Sequence, residues 1–174
     1  YSMGSLYRAI GQIKERYKKD NYYMLDIELR SELEKYQRRE FFRFSCLLDF
    51  SFYHIPEEAM QLEKLEDIYE MIRDDYLAVT PGKIVDLSGG GIRFYTENPV
   101  NADACLLLDI RLKNETMDKQ FHIPARVLDC HRVENIQEVR YELRAKFFIR
   151  DDKVREEIIH YIFEEERKTR QRGK

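Results

Sequence analysis

The sequence predicts a mainly β protein built around a small antiparallel barrel, with an α-helix closing the chain. Three observations carry that prediction. From residue 41 onward, apolar and aromatic runs of strand length are separated by clusters of glycine, proline and asparagine. A helical period appears in two segments, 56–76 and 152–168. Ahead of residue 31 lie two strand-like runs joined by a short polar turn, the pattern of a β-hairpin.

The elements follow in order. Residues 6–17, LYRAIGQIKERY, mix β-favouring residues with charges, and Lys18-Lys19-Asp20-Asn21 supplies a turn. In 22–30, Tyr23, Leu25, Ile27 and Leu29 make one apolar face by strict alternation. An isolated hairpin is marginal in water, so this one is expected to pack on something else. SELEKYQRRE at 31–40 reads as a polar linker, with Ser31 and Glu34 spaced as a capping box for a helical turn. FFRFSCLLDFSFYHI at 41–55 predicts a long strand. In 56–76, Met60, Leu62, Leu65, Ile68, Tyr69, Met71 and Ile72 recur at helical spacing behind Pro56, Glu57 and Glu58, which suit a helix start. One inserted helix is therefore expected, its stripe a packing surface, with Thr80-Pro81-Gly82 ending the segment.

Strands resume at 83–88, 91–96, 104–112, 120–133 and 139–149, with turn chemistry at Gly89-Gly90-Gly91, Asn98-Pro99, Lys113-Asn114 and Glu134-Asn135. Five or six strands at this spacing suit a closed barrel, which leaves no free edge. The last helix places Val154, Ile158, Ile159, Tyr161, Ile162 and Phe163 at helical spacing behind the capping residues Asp151 and Asp152. It is expected to close a barrel end or meet a partner, with 167–174 frayed.

Composition narrows the function classes. Thirty Lys and Arg against 33 Asp and Glu leave a net charge of −3, which argues against a general nucleic-acid or membrane-surface binder. Cys46, Cys105 and Cys130 are widely spaced and sit in apolar runs, so they read as buried free thiols in a reducing cytoplasm. His54, His122, His131 and His160 are scattered over different elements, with no metal spacing and no nucleophile–base pair, so neither a catalytic residue nor a metal site is expected. No apolar run approaches the ~20 residues of a membrane-spanning helix. Tyr1 is not an initiator methionine, which points to a fragment or a tagged chain.

Two short segments carry chemistry. In Gln37-Arg38-Arg39-Glu40-Phe41-Phe42-Arg43, Arg39 and Arg43 stand four apart where the polar stretch enters the first long strand. A guanidinium fits a phosphate bidentately and matches the O6 and N7 acceptors of guanine. Taken alone, this cluster also fits a solvated charged linker. The second segment, Asp86-Leu87-Ser88-Gly89-Gly90-Gly91, holds three of the seven glycines in a row between two strands. Such a run lets a ligand approach the backbone closely, although a tight hairpin needs one or two glycines anyway. Asp86 and Ser88, two apart on a strand, share a side, where a carboxylate can accept from the N1–H and N2–H₂ donors of guanine.

Arg39 and Arg43 followed by Asp86, Ser88 and Gly91, with a strand between, form the RxxxR and [D/N]xSxxG pair that resembles the PilZ domain family. With Gln37 and Arg38 the first motif takes the extended form of YcgR-like flagellar brake proteins. The resemblance covers roughly residues 36–166. It implies a six-stranded barrel over 41–174, a linker at 31–40, and in 1–30 the remnant of a separate N-terminal β domain. It further implies a receptor for the bacterial second messenger cyclic di-GMP, with no cofactor and no turnover. The ligand would be held by Arg38, Arg39, Arg43, Asp86, Ser88, Gly89, Gly90 and Gly91, and the output would be control of flagellar motility through a motor or other protein target. Exopolysaccharide control is the family's main alternative output. Outside this reading stand a nucleotide-independent interaction adaptor and, disfavoured by net charge, a single-stranded nucleic-acid binder.

Overall fold

The structure, a computed structural model, describes residues 6–37, 39–62, 64–73, 78–135 and 138–172. The chain divides into two units between Glu40 and Phe41.

In the first unit, β1 (Tyr7–Arg8) pairs with β4 (Glu34–Lys35), and β2 (Gly11–Lys19) pairs with β3 (Tyr22–Leu29). Asp20 turns the hairpin with a φ of 54°, a left-handed conformation that Asp tolerates better than most residues. Ser31 does not cap a helical turn. Its hydroxyl accepts from the Ile10 N–H at 2.9 Å, and Glu34 lies in a strand opposite Arg8. Every residue from Tyr7 to Gln37 is exposed, so among its described residues this unit has strands but no buried core.

The second unit is a closed antiparallel barrel. Its strands are β5 (Arg43–Ile55), β6 (Thr80–Ser88), β7 (Gly91–Thr96), β8 (Cys105–Lys113), β9 (Asp118–Asn135) and β10 (Glu138–Phe147), in the spatial order β10-β7-β6-β5-β8-β9 with β9 returning to β10. Alternation, reset in β6 by a bulge between Ile84 and Asp86, sends Phe52, Ile84, Leu87, Phe94, Leu106, Leu108, Val127 and Leu143 inward, all buried. The final helix, α2 (Asp152–Arg172), adds Ile158, Tyr161 and Ile162 to that core. Asp151 accepts from the Lys153 N–H at 3.0 Å, as a cap should. Helix persists to Arg172, through most of the stretch expected to fray, and 173–174 lie outside the described residues. Glu164–Arg167, Glu165–Lys168 and Glu166–Arg170 pair at 3.2, 3.1 and 2.7 Å along its last turns, and each such pair adds helix stability.

Two further expectations are corrected. The insertion is not one helix: a short 3₁₀ turn at Glu57–Gln61 is followed by an extended Leu62 (ψ 136°) and then α1 (Leu65–Arg73). Ala59, Met60 and Ile68 all pack on Ile55, Cys105 and Leu107. At 100° per residue a continuous helix would set Ala59 and Ile68 on opposite faces, so the break brings both to the barrel. Positions 63 and 74–76 of the expected helix lie outside the described residues. Thr80-Pro81-Gly82 does not end the segment but starts β6, opposite Phe52, Ser51 and Phe50. Pro81 is tolerated because β7 begins its pairing with β6 only at Lys83, leaving that side of the strand without a ladder. Gly82 makes room for the Phe50 ring: a Cβ there would lie 2.5 Å from Phe50 Cε1.

Candidate functional site

The outer face of β5, β6, β7 and β10 collects much of what the two motifs contain. Arg43, the first residue of β5, is the ladder partner of Ser88 at the end of β6. Asp86 lies between Ser45 of β5 and Arg93 of β7, and Gly91 lies opposite Lys146 of β10. Leu87, between Asp86 and Ser88, is buried inside the barrel, and Phe44, next to Arg43, packs on the same core, so strand alternation turns Arg43, Asp86 and Ser88 to the outer side, where Arg43 is exposed and Ser88 is covered.

Gly89 and Gly90 make the two-residue link between β6 and β7, with Ser88 and Gly91 paired across it. The chain itself uses the space that the glycines leave. A Cβ on Gly89 would stand 2.9 Å from both Phe41 and Ile159 side chains, one on Gly90 would stand 2.9 Å from Phe41, and one on Gly91 would stand 2.2 Å from the Ala145 carbonyl oxygen. Gly91 is thus demanded by the β10 backbone, while the space beside Gly89 and Gly90 is taken by the Phe41 and Ile159 side chains. The Ser88 hydroxyl is engaged too, donating to the Gly91 carbonyl at 3.0 Å and accepting from the Gly90 N–H at 3.4 Å. The Gly90 carbonyl accepts from the Phe147 N–H at 3.0 Å.

Arg155 of α2 was not identified from sequence. It donates to the Gly89 carbonyl at 2.7 Å and to the Ile149 carbonyl at 3.3 Å, with its guanidinium 5.3 Å from the Phe41 ring centre. One arginine therefore ties the helix to the glycine turn and to the residue that fills it. Nothing in the local pattern distinguishes it from the other charges of the helix.

Asp86 sits in a charged group with Arg93 and Glu142. Arg93 Nη1 lies 3.0 Å from Glu142, and its Nη2 lies 3.9 Å from Asp86. Beneath them, burial and then the Asp86 charge push the Cys46 thiol up to about 12. Cys46 should therefore stay a thiol at pH 8.5 and react with a thiolate-selective reagent only when denaturant opens the barrel. Rapid native-state labelling at Cys46, mapped by peptide mass, would contradict this. A folded-state value raised above the ordinary 9.0 leaves the Cys46 contribution intact below pH 9 and removes it as pH climbs toward 12.

The other predicted site residues fall in the first unit or outside the description. Arg39 is exposed, and its carbonyl accepts from the Gln37 side-chain amide at 2.9 Å. Arg38 lies outside the described residues. Among the described residues no group of His, Cys, Asp and Glu could hold a metal, and no helix is long and apolar enough to cross a membrane. The cysteines are free, with Cys105 buried and Cys46 and Cys130 half-buried.

Comparison with known proteins agrees with this fold. No curated protein sequence matches the chain. Among solved structures, the Bacillus subtilis inhibitor of motility MotI/DgrA aligns with a TM-score of 0.69 and 20% identity, covering 98% of this chain and 71% of that one. The PilZ domain of Escherichia coli YcgR with c-di-GMP gives 0.53 at 19% identity, covering 79% of this chain and 98% of that one. The K. pneumonia MrkH–c-di-GMP complex gives 0.52 at 18% identity, with 91% and 65% covered. At these identities the likeness is one of fold. The model of the PilZ domain matches residues 37–164, most of the chain, and with the six-stranded barrel and both motifs in place this protein belongs to the PilZ domain family.

Proposed function

We propose that this protein is a cyclic di-GMP receptor that acts in the cytoplasm and passes ligand binding to a protein target controlling motility, as a flagellar brake does. The observation that carries the reading is the ladder pairing of Arg43 with Ser88, one alternation step from Asp86, on the outer barrel face. It sets a guanidinium for phosphate or a guanine Hoogsteen edge beside a carboxylate that accepts from the guanine N1–H and N2–H₂. Chain length alone keeps the Arg39 Cα within about 14 Å of Arg43, so both arginines can reach one ligand.

Without ligand, the like charges of Arg39 and Arg43 repel one another. Two phosphates relieve that repulsion and order the stretch joining the two units, which is the conformational output. The ligand shifts this equilibrium only by its differential affinity for the ordered state. The exposed apolar residues of the first unit, among them Ile10, Tyr22 and Leu25, support reading it as the end of a larger N-terminal β domain. PilZ domains are ligand-binding effectors, and no enzymatic step is assigned here.

One observation favours a second reading, an interaction adaptor that needs no nucleotide. The Ser88 hydroxyl and the space beside Gly89–Gly91 are already occupied by the chain's own groups. Calorimetry with cyclic di-GMP decides between them. Wild type should take up ligand at micromolar concentration, and Arg39→Ala and Arg43→Ala should each weaken it about ten-fold or more, the worth of a charge-assisted hydrogen bond. No uptake by wild type leaves the adaptor, and unchanged binding by both variants removes the arginine assignment.

A further inference from the structure

Recognition of guanine by Asp86 requires that its carboxylate be free, yet the residue directly across the ladder is a cation. Asp86 and Arg93 are partners between β6 and β7, a register at which opposite charges attract and close on one another. A closed, bidentate pair would engage both carboxylate oxygens and compete with a guanine for them. The structure shows otherwise: Arg93 Nη2 stands 3.9 Å from Asp86 Oδ2, beyond hydrogen-bond distance, while Nη1 makes a 3.0 Å contact with Glu142 Oε2.

Glu142 is built to hold that position. Its side chain is 14% exposed, and the Tyr95 hydroxyl donates to Oε2 at 3.1 Å. Arg144 Nη2 approaches Oε1 at 3.7 Å from the same strand. His131, opposite Glu142 on β9, is engaged by Asp129 at 2.6 Å. Two carboxylates thus compete for Arg93, and the one on β10 has the shorter contact.

We propose that Glu142 is a positioning residue for ligand recognition: it draws Arg93 away from Asp86 and so keeps the Asp86 carboxylate available to a guanine. The proposal rests on the cyclic di-GMP reading for its consequence, and on the Arg93 geometry alone for its mechanism. Glu142→Gln keeps the shape and the Tyr95 contact but removes the charge. Arg93 then faces one full negative charge, that of Asp86, and closes on it. Removing Arg93 as well frees Asp86 again.

The test has two arms. In calorimetry with cyclic di-GMP on the full chain, E142Q should bind about ten-fold more weakly than wild type, and E142Q with R93Q should return to near wild-type affinity. Wild-type affinity in E142Q overturns the proposal. So does a loss that R93Q fails to restore, which would make Arg93 a direct ligand contact. The second arm is a crystal structure of ligand-free E142Q, in which Arg93 should approach Asp86 to about 3 Å. An unchanged separation overturns the proposal whatever the calorimetry gives. If wild type takes up no messenger while Arg93 closes in E142Q, the receptor reading fails and the positioning mechanism stands.

Discussion

Gly91→Ala is expected to destabilise the barrel by about 3 kcal/mol, the upper end of what overpacking costs in a well-filled structure. The new methyl carbon would stand 2.2 Å from the Ala145 carbonyl oxygen and 3.3 Å from the Lys146 Cα. Both are backbone atoms of β10, which is laddered to β7 on one side and to β9 on the other, so neither can retreat without loosening two strand pairs. Gly89→Ala and Gly90→Ala provide the internal contrast. Their closest neighbours are side-chain atoms of Phe41 and Ile159 at 2.9 Å, and side chains move more cheaply than a paired backbone. Each should cost less than half as much as Gly91→Ala. Urea unfolding of the three variants reads the order directly, and a Gly91→Ala midpoint equal to that of the other two would contradict the packing account.

Phe94→Ala is expected to cost about 3–5 kcal/mol, the usual range for emptying an aromatic site in a core. Phe94 has no exposed surface and lies edge-on to Phe50 at 5.1 Å and to Phe52 at 5.6 Å between ring centres. Those two rings come from β5 and Phe94 from β7, so the cluster joins strands on either side of β6. Little nearby can fill the void, because Phe50 already occupies the space above Gly82. Thermal unfolding should show the loss as a large fall in melting temperature, and a fall no greater than that of a surface substitution would remove Phe94 from the centre of the core.

How much of this was legible in the chain depends on the kind of signal involved. Strand β7 is legible at 91–96 as an apolar and aromatic run between the glycine triplet and Asn98-Pro99. The long β5 was visible as an aromatic run, and α2 as a 3.6-residue period. Readings failed where a distant partner overrides local preference. Pro81-Gly82 looks like a terminator, yet the Phe50 ring covers the glycine and the proline sits where β7 does not pair. The insertion carries one continuous helical period, yet it breaks at Leu62 so that two segments can reach one patch of the barrel. Ser31 and Glu34 have capping-box spacing, but β1 takes that segment as a strand.

The candidate site divides along the same line. Residue order alone established a mainly β chain with a closing helix, and it placed both motifs at strand ends, because alternation and turn chemistry are written in consecutive residues. Tertiary structure decided that Arg43 would meet Ser88, that the glycines would be filled by Phe41, Ile159 and the Ala145 carbonyl, that Arg155 would reach Gly89, and that Arg93 and Glu142 would lie beside Asp86. Those neighbours come from strands and a helix far apart in the chain, and only the register in which the barrel closes can choose among them.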